Sequence, residues 1–331
     1  MDPLSQGAIG ASFSQSLSSK KNLLTIGIIG FLAGMSPDLD VLIKSDQDPL
    51  LFLEFHRQFT HSLVFIPIGG LVFASVFYSL FKRRISLSFK QVWFYASVGY
   101  GTHGILDSFT SYGTQLLWPF NNDRISWNNI SIIDPLFTIP IIVLITLAAI
   151  KKSPFLARVS LIWAIFYLSL GWFQHQRAIE FANELIQQRG HNAIEISVKP
   201  SFGNLILWKI IYKTKDRFFV DAVNLGLKKQ HFNGDSIDIF NLDNYELRDK
   251  LTALQKNDIE RFKWFSQGFI AINPNNRNQI LDIRYSNLPN EIGGLWGIEL
   301  TPNSDDNHVR FISNRETNKR EFDKFFAMIF N

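Results

Sequence analysis

Long apolar runs at 23–35, 61–81, 91–107, 132–150 and 157–173 alternate with short polar stretches. A helix needs about 20 residues to cross a bilayer. The runs at 61–81 and 132–150 are therefore comfortable spans, while the first and third are short. A Gly-, Ala- and Ser-rich segment at 4–18 predicts a half-helix packed against the others. Residues 174–190 predict an amphipathic connecting helix closed by Gly190. Beyond it the period changes: Ala193–Val198, Leu205–Tyr212 and Arg217–Val223 alternate apolar and polar residues between turn signals, and Leu251–Phe265 has helical spacing. The pattern predicts an all-α transmembrane helical bundle of about five spans over 1–174, followed by a soluble α+β domain over 175–331.

Basic residues order these runs. Lys20 and Lys21, then Lys82, Arg83, Arg84 and Lys90, then Lys151, Lys152 and Arg158 fall at alternate ends, all on one side if each run crosses. The positive-inside rule makes that side cytoplasmic. Asp38, Asp40, His56, His61, His103, Asp107 and Asp134 then share the opposite face, and the chain emerges there after its fifth run. The opening Met1-Asp2-Pro3-Leu4-Ser5-Gln6 lacks a basic region before an apolar core and does not read as a cleaved signal peptide.

Composition narrows the chemistry. The chain has no cysteine, so disulfides and thiolate metal sites are excluded and any metal must be held by His, Asp or Glu. A net charge of +4, with no basic stripe interleaved with aromatics, gives no nucleic-acid signal. Ser36-Pro37-Asp38-Leu39-Asp40, His56-Arg57-Gln58-Phe59-Thr60-His61-Ser62 and His103-Gly104-Ile105-Leu106-Asp107 set carboxylates and imidazoles beside apolar segments. Such groups are costly there unless something binds them.

Each has a plainer reading as well. His103 and Asp107, one helical turn apart on one face, suit either a shared ion or a buried hydrogen bond. Asp38 and Asp40 follow a proline where turns begin. His56 and His61 converge only if a loop runs into a helix between them. Arg57 has the planar fork that suits a phosphate, or it pairs structurally with Asp46, Asp48 or Glu54. Asp134 precedes Pro135 as a helix cap would. His175, His191, His231 and His308 have no companions at ligand spacing and read as surface or satisfied core residues. Trp118-Pro119-Phe120 and Trp127 fit an interfacial aromatic belt.

Several motifs in order resemble a known family: Met1-Asp2-Pro3-Leu4, Met35-Ser36-Pro37-Asp38-Leu39-Asp40, the segment from His56 to Ser62, Gly101-Thr102-His103-Gly104-Ile105-Leu106-Asp107, and Thr110-Ser111-Tyr112-Gly113-Thr114 with Trp118-Pro119-Phe120. Over roughly 1–175 the chain resembles the YdjM-like inner-membrane metal-dependent hydrolases of bacteria and archaea. That family is thought to be distantly similar to zinc-dependent phospholipases C and single-strand nucleases. The resemblance implies a divalent metal, zinc foremost, held by Asp38, Asp40, His56, His61, His103 and Asp107. It departs at Ser5-Gln6, where many relatives have Thr-His, which puts one metal position in doubt.

The expected function is hydrolysis of a phosphoester in a lipid or lipid-linked substrate at the outer face of a bacterial inner membrane. Asp40 would act as general base if it is not a ligand, and Arg57 would neutralise charge on phosphate oxygens. The alternatives are a non-catalytic, metal-stabilised scaffold that binds envelope partners, and an ion transporter. The transporter would need charges deeper within several helices.

Overall fold

A computed structural model of the chain describes residues 1–303 and 307–330. It divides into two compact units: Met1–Leu42 with Phe55–Phe173 and Phe202–Leu205, and Ile43–Glu54 with Gln174–Ser201 and Ile206–Asn331.

The first unit is helical. Helix α1 (Pro3–Ser16) starts at Asp2, whose carboxylate accepts the Ser5 amide at 3.1 Å. It is a whole helix where the sequence suggested half of one, because its small polar residues are buried among other helices. Helix α2 (Leu23–Met35) runs into a 3₁₀ turn over Ser36–Leu42. The short α3 (Leu51–Phe55) and a 3₁₀ turn at Phe59–His61 precede α4 (Ile66–Phe81). Next come α5 (Phe89–Ser108), opened by a reciprocal Ser88–Gln91 cap, and α6 (Pro135–Lys151). Helix α7 (Pro154–Gln188) is continuous over 35 residues. The expected connecting helix at 174–190 is therefore the second half of α7, since nothing in the sequence breaks the helix between the apolar run and the amphipathic one.

Glycine sets how closely these helices approach. A Cβ on Gly10 of α1 would lie 2.3 Å from the Gly30 carbonyl oxygen of α2, and one on Gly99 of α5 would lie 2.5 Å from the same oxygen. Only bare backbone fits where these three helices meet, as is common where small residues line helix contacts in a membrane. Ile26, Ile29 and Ala33 pack against Ala74, Phe77, Val92 and Ala96, and Ala8 and Ile9 pack against Phe137, Ile141 and Tyr167. The outward positions are apolar as well, among them Leu24, Ile28, Val72, Val76, Leu80, Ile139, Ile162, Ile165 and Phe166. So much exposed hydrocarbon suits lipid and not water.

Among the described residues, three helical stretches are long and apolar enough to cross a membrane: Leu23–Leu42, Leu63–Phe81 and Pro154–Gln188. Helix α6 is apolar but shorter, with 17 residues. Helix α5, the expected third span, carries Lys90, Gln91, His103 and Asp107.

The second unit contains two antiparallel sheets. Strands β1 (Glu195–Pro200), β2 (Leu207–Lys213), β3 (Arg217–Leu225) and β4 (Lys229–Phe232) pair in order, and β5 (Ser236–Asp238) pairs with β3. After α8 (Ala253–Phe265), whose first turn is capped by Thr252, strands β6 (Ile270–Asn273), β7 (Asn276–Asp282), β8 (Trp296–Glu299) and β9 (Arg310–Ser313) form the second sheet, and α9 (Lys319–Phe330) follows. The first sheet is buried on both faces. Val198, Trp208, Ile210 and Tyr212 pack on Ala178, Ala182 and Ile186 of α7, while Ile211, Phe218 and Val220 pack on Phe269, Ala271 and Ile283.

The segment Ile43–Glu54 belongs to this second unit although its neighbours on both sides belong to the first. Arg261 of α8 holds it. Its guanidinium contacts Asp48 through two nitrogens at 3.0 and 2.8 Å, Glu54 at 2.5 Å and Asp258 at 2.9 Å. Phe52 sets its ring edge-on to Phe311, with centroids 5.0 Å apart. Arg261→Ala leaves Asp258, which is wholly buried, without its guanidinium partner. Unfolding of the second unit, followed by thermal denaturation, is expected to be roughly 2 kcal/mol easier, with faster protease cleavage within 43–54.

Candidate metal centre

The site is assembled by three chain segments. The 3₁₀ turn after α2 presents Asp38 and Asp40, the turn at 56–61 presents His56, Arg57 and His61, and the last turns of α5 present His103 and Asp107. The close approach of the second and third depends on Gly104, because a Cβ there would lie 2.0 Å from the His61 carbonyl oxygen. Arg57 sits in the left-handed region at φ 67°, which turns the chain between His56 and His61. That turn converges the two imidazoles, five residues apart, to a centroid distance of 5.9 Å.

All six candidate ligands come together. Asp38, His61, His103 and Asp107 form one group and Asp38, Asp40 and His56 a second, with the potential ligand atoms of each within 4.8 Å of one another. In the first group the two Nε2 atoms of His61 and His103 are 2.9 Å apart. Asp38 Oδ1 lies 3.5 Å from His61 Nε2 and 3.3 Å from His103 Nε2, and Asp107 Oδ2 lies 3.5 and 4.0 Å from the same two atoms. A tetrahedral ion with bonds of about 2.0 Å has ligand-to-ligand edges of about 3.3 Å, so these spacings match one coordination shell.

The surrounding hydrogen bonds orient the rings for this. His103 Nδ1 is 2.6 Å from the Gly34 carbonyl, which can only accept, so that nitrogen carries the proton and Nε2 points inward. His61 Nδ1 faces Thr60 Oγ1 at 2.9 Å and Asp40 Oδ2 at 3.3 Å. Asp107 is fully buried and its Oδ2 accepts no hydrogen bond. Arg57 Nε is 2.9 Å from that oxygen but is not aligned to donate to it. An unsatisfied buried carboxylate oxygen aimed at two imidazoles fits a cation between them.

Asp40 is held differently. Its Oδ1 meets His56 Nδ1 at 2.8 Å, and its Oδ2 accepts the Arg57 amide at 3.0 Å and Thr60 Oγ1 at 2.8 Å. Burial pushes the His56 imidazole below its ordinary value, so it is neutral near pH 7. Asp38 and His56 are the outward members, with side chains 22% and 17% exposed.

Other candidates lie elsewhere. Asp134 is outside both groups; it caps α6 by accepting the Leu136 amide at 3.1 Å and also takes the Tyr167 hydroxyl at 2.9 Å. Arg57 does not pair with Asp46, Asp48 or Glu54: it is buried against Asp107 and lies 4.5 Å from the Tyr112 ring centre, while Arg261 takes Asp48 and Glu54. His175, His191, His231 and His308 are each hydrogen-bonded, to Val198, Tyr212, Asp221 and Asp258. Gln6, at the departure from the family motif, donates to Asp107 Oδ1 at 2.8 Å and supports a ligand from behind. Thr60 escaped notice in the sequence, where a threonine beside a histidine carries no signal of its own.

A helical unit with lipid-suited flanks and a buried Asp/His cluster able to hold a metal ion defines a membrane protein with a candidate metal centre. Residues 1–178 match the family described as YdjM inner membrane protein, and the chain belongs to that family. It is also similar to a Bacillus subtilis (strain 168) protein described as "Uncharacterized protein YfhP", with 26% identity over 196 residues. That alignment covers 58% of this chain and 57% of the relative, so the chain spans little more than half of the relative's length. No solved structure matches the chain.

Burial lowers the pKa of His61, but the carboxylates of Asp107, Asp38 and Asp40 beside it outweigh burial and raise it to about 10. A metal must therefore displace a proton from His61. Apparent metal affinity is expected to rise about tenfold per pH unit over roughly pH 6 to 9, with proton release on binding. Titration calorimetry in buffers of different ionisation enthalpy checks this, and His61→Ala should flatten the dependence.

Proposed function

We propose that the protein is a membrane-bound, metal-dependent hydrolase that cleaves a phosphoester in a lipid or lipid-linked substrate, with zinc as the favoured ion. The observation that carries this reading is the pair of ligand groups sharing Asp38. The four-residue group supplies a complete tetrahedral shell, which is the form of a structural zinc site. The three-residue group is partly exposed and leaves a position open, the form of a catalytic one. A divalent ion bound there supplies Lewis acidity and an activated water near neutral pH.

The chain's own residues do the rest. Asp38, common to both groups, would be available as a ligand to an ion in either. Asp40 has both oxygens engaged, so it orients His56 or serves as a ligand and is poorly placed as a general base. Arg57, braced by Asp107 and Tyr112, sets a fixed positive charge beside the site for phosphate oxygens. Leu39, Val41 and Leu42 are exposed on the same 3₁₀ turn as Asp38 and Asp40. Apolar residues interleaved with the acidic ones favour a substrate that brings its own hydrocarbon.

The closed four-residue group also favours a second reading, a metal-stabilised scaffold without catalysis. Metal analysis joined to a phosphodiesterase assay in detergent micelles separates the two. Hydrolysis that a chelator abolishes and zinc restores supports the enzyme. Chelator-sensitive stability without hydrolysis of any lipid phosphoester supports the scaffold. Arg57→Lys keeps charge but loses the fork, and is expected to lower turnover about 10- to 100-fold with bound metal nearly unchanged. His103→Ala is expected to lower both.

The alternate-end placement of Lys and Arg supports a five-span arrangement with the site and the C-terminal domain outside the cytoplasm. Helices α5 and α6 would complete the count of five. A periplasm-active reporter fused after residue 331 is expected to be active, and a cytoplasm-active one silent; the reverse result removes the external site.

A further inference from the structure

The second unit buries two lysines that no part of the metal chemistry uses. Lys199 of β1 and Lys209 of β2 are directly opposed in the antiparallel register, so their side chains leave the same face of the sheet. Both residues are buried, with 5% and 4% exposure. Lys209 Nζ donates to Ser286 Oγ at 2.7 Å and to the Glu291 carbonyl at 3.0 Å, both uncharged acceptors. Lys199 Nζ is buried with no hydrogen-bond partner and lies 3.4 Å from the centre of the Tyr285 ring.

The neighbouring carboxylate does not serve them. Asp282 accepts Arg284 Nε at 2.9 Å, Arg284 Nη2 at 2.7 Å and Trp296 Nε1 at 3.1 Å. The Glu291 carboxylate faces Lys324 at 3.8 Å. Three basic side chains thus share the influence of one buried carboxylate, which is already hydrogen-bonded to the third. An ammonium group taken out of water without an anion or acceptors is strongly unfavourable. An unsatisfied buried donor calls for a partner, and an anion is one that would satisfy it.

We propose that Lys199 and Lys209 form a binding site for a small, freely diffusing oxyanion, a phosphate or carboxylate group, within the C-terminal domain. When charged, Lys199 offers three donors and Lys209 one beyond those it gives Ser286 and Glu291, which suits the several acceptor oxygens of an oxyanion. Both amines lie below the surface, which favours a free ion over a phosphate still attached to a bilayer. Without the ion, burial holds Lys199 well below its ordinary value and Lys209 at about 7, with Arg284 adding to the effect on Lys199 and Asp282 and Glu291 opposing it on Lys209. An arriving anion restores charge to the amines, so binding takes up a proton.

The test is titration of the full-length, chelator-treated protein in detergent with inorganic phosphate, by calorimetry and thermal denaturation. Saturable binding, a raised melting temperature and proton uptake near pH 8 are expected. Lys199→Met and Lys209→Met should each weaken binding about tenfold, the effect of losing one charge-assisted hydrogen bond, whereas His103→Ala should leave it unchanged. The parent protein alone decides the matter if either lysine variant fails to fold. Absence of saturable phosphate and acetate binding, or binding without proton uptake, overturns the proposal. Phosphate binding that survives both lysine substitutions marks an adventitious ion only and equally overturns it. Capture of phosphatidate-containing vesicles that depends on Lys199 refutes the free ion as the occupant.

Discussion

Asp107 is a carboxylate with no exposed surface, placed at the end of a helix among apolar helices. A bare negative charge in such a place is prohibitively unfavourable, and everything around it answers that cost. Arg57 comes within 2.9 Å, Gln6 donates from α1, and His61 and His103 close in from the front. Bringing Arg57 and His61 that close requires the chain to turn at φ 67° and the 3₁₀ turn to lie directly on α5 at Gly104. The packing of α1, α2 and α5 around Gly30 sets the same level for Asp38 at the end of α2. The arrangement of the helical unit follows from one buried charge and the small residues that let backbones reach it.

Much of this was legible in the sequence for a definite reason. Ionisable residues beside membrane-length apolar runs are rare enough to stand out, and Asp38, Asp40, His56, His61, His103, Asp107 and Asp134 did so on that ground; it was the family resemblance that narrowed the seven to the six without Asp134. Asp134 followed by Pro135 announced a helix cap by local chemistry alone. The β1, β2 and β3 segments and α8 were readable from their periods to within a few residues.

What could not be read is non-local. The partner of Asp48 and Glu54 is Arg261, more than 200 positions away, while Arg57 stood close by in sequence and looked the better match. The continuity of α7 was hidden because the change near residue 174 from an apolar run to an amphipathic one resembles a boundary, although no residue there stops a helix. The later strands are short and partly polar; β9, with four residues, has no exclusive pattern of its own. The opposition of Lys199 and Lys209 depends on strand register, and a slip of one residue would turn either lysine to the other face.

The interleaving of the two units has a consequence for biosynthesis. Residues 43–54 leave the ribosome early but belong to a unit whose remaining chain, from 174 onward, is made later. Asp40 and His56 flank that segment closely on either side. While translation proceeds, the helices can insert and the deep group of Asp38, His61, His103 and Asp107 can form, but the partner that anchors the intervening segment has not been synthesised. The segment between Asp40 and His56 therefore gains its Arg261 anchor only once α8 has been made. A chain cut short before Arg261 would carry the inner cluster of Asp38, His61, His103 and Asp107 without the residue that holds Asp48 and Glu54.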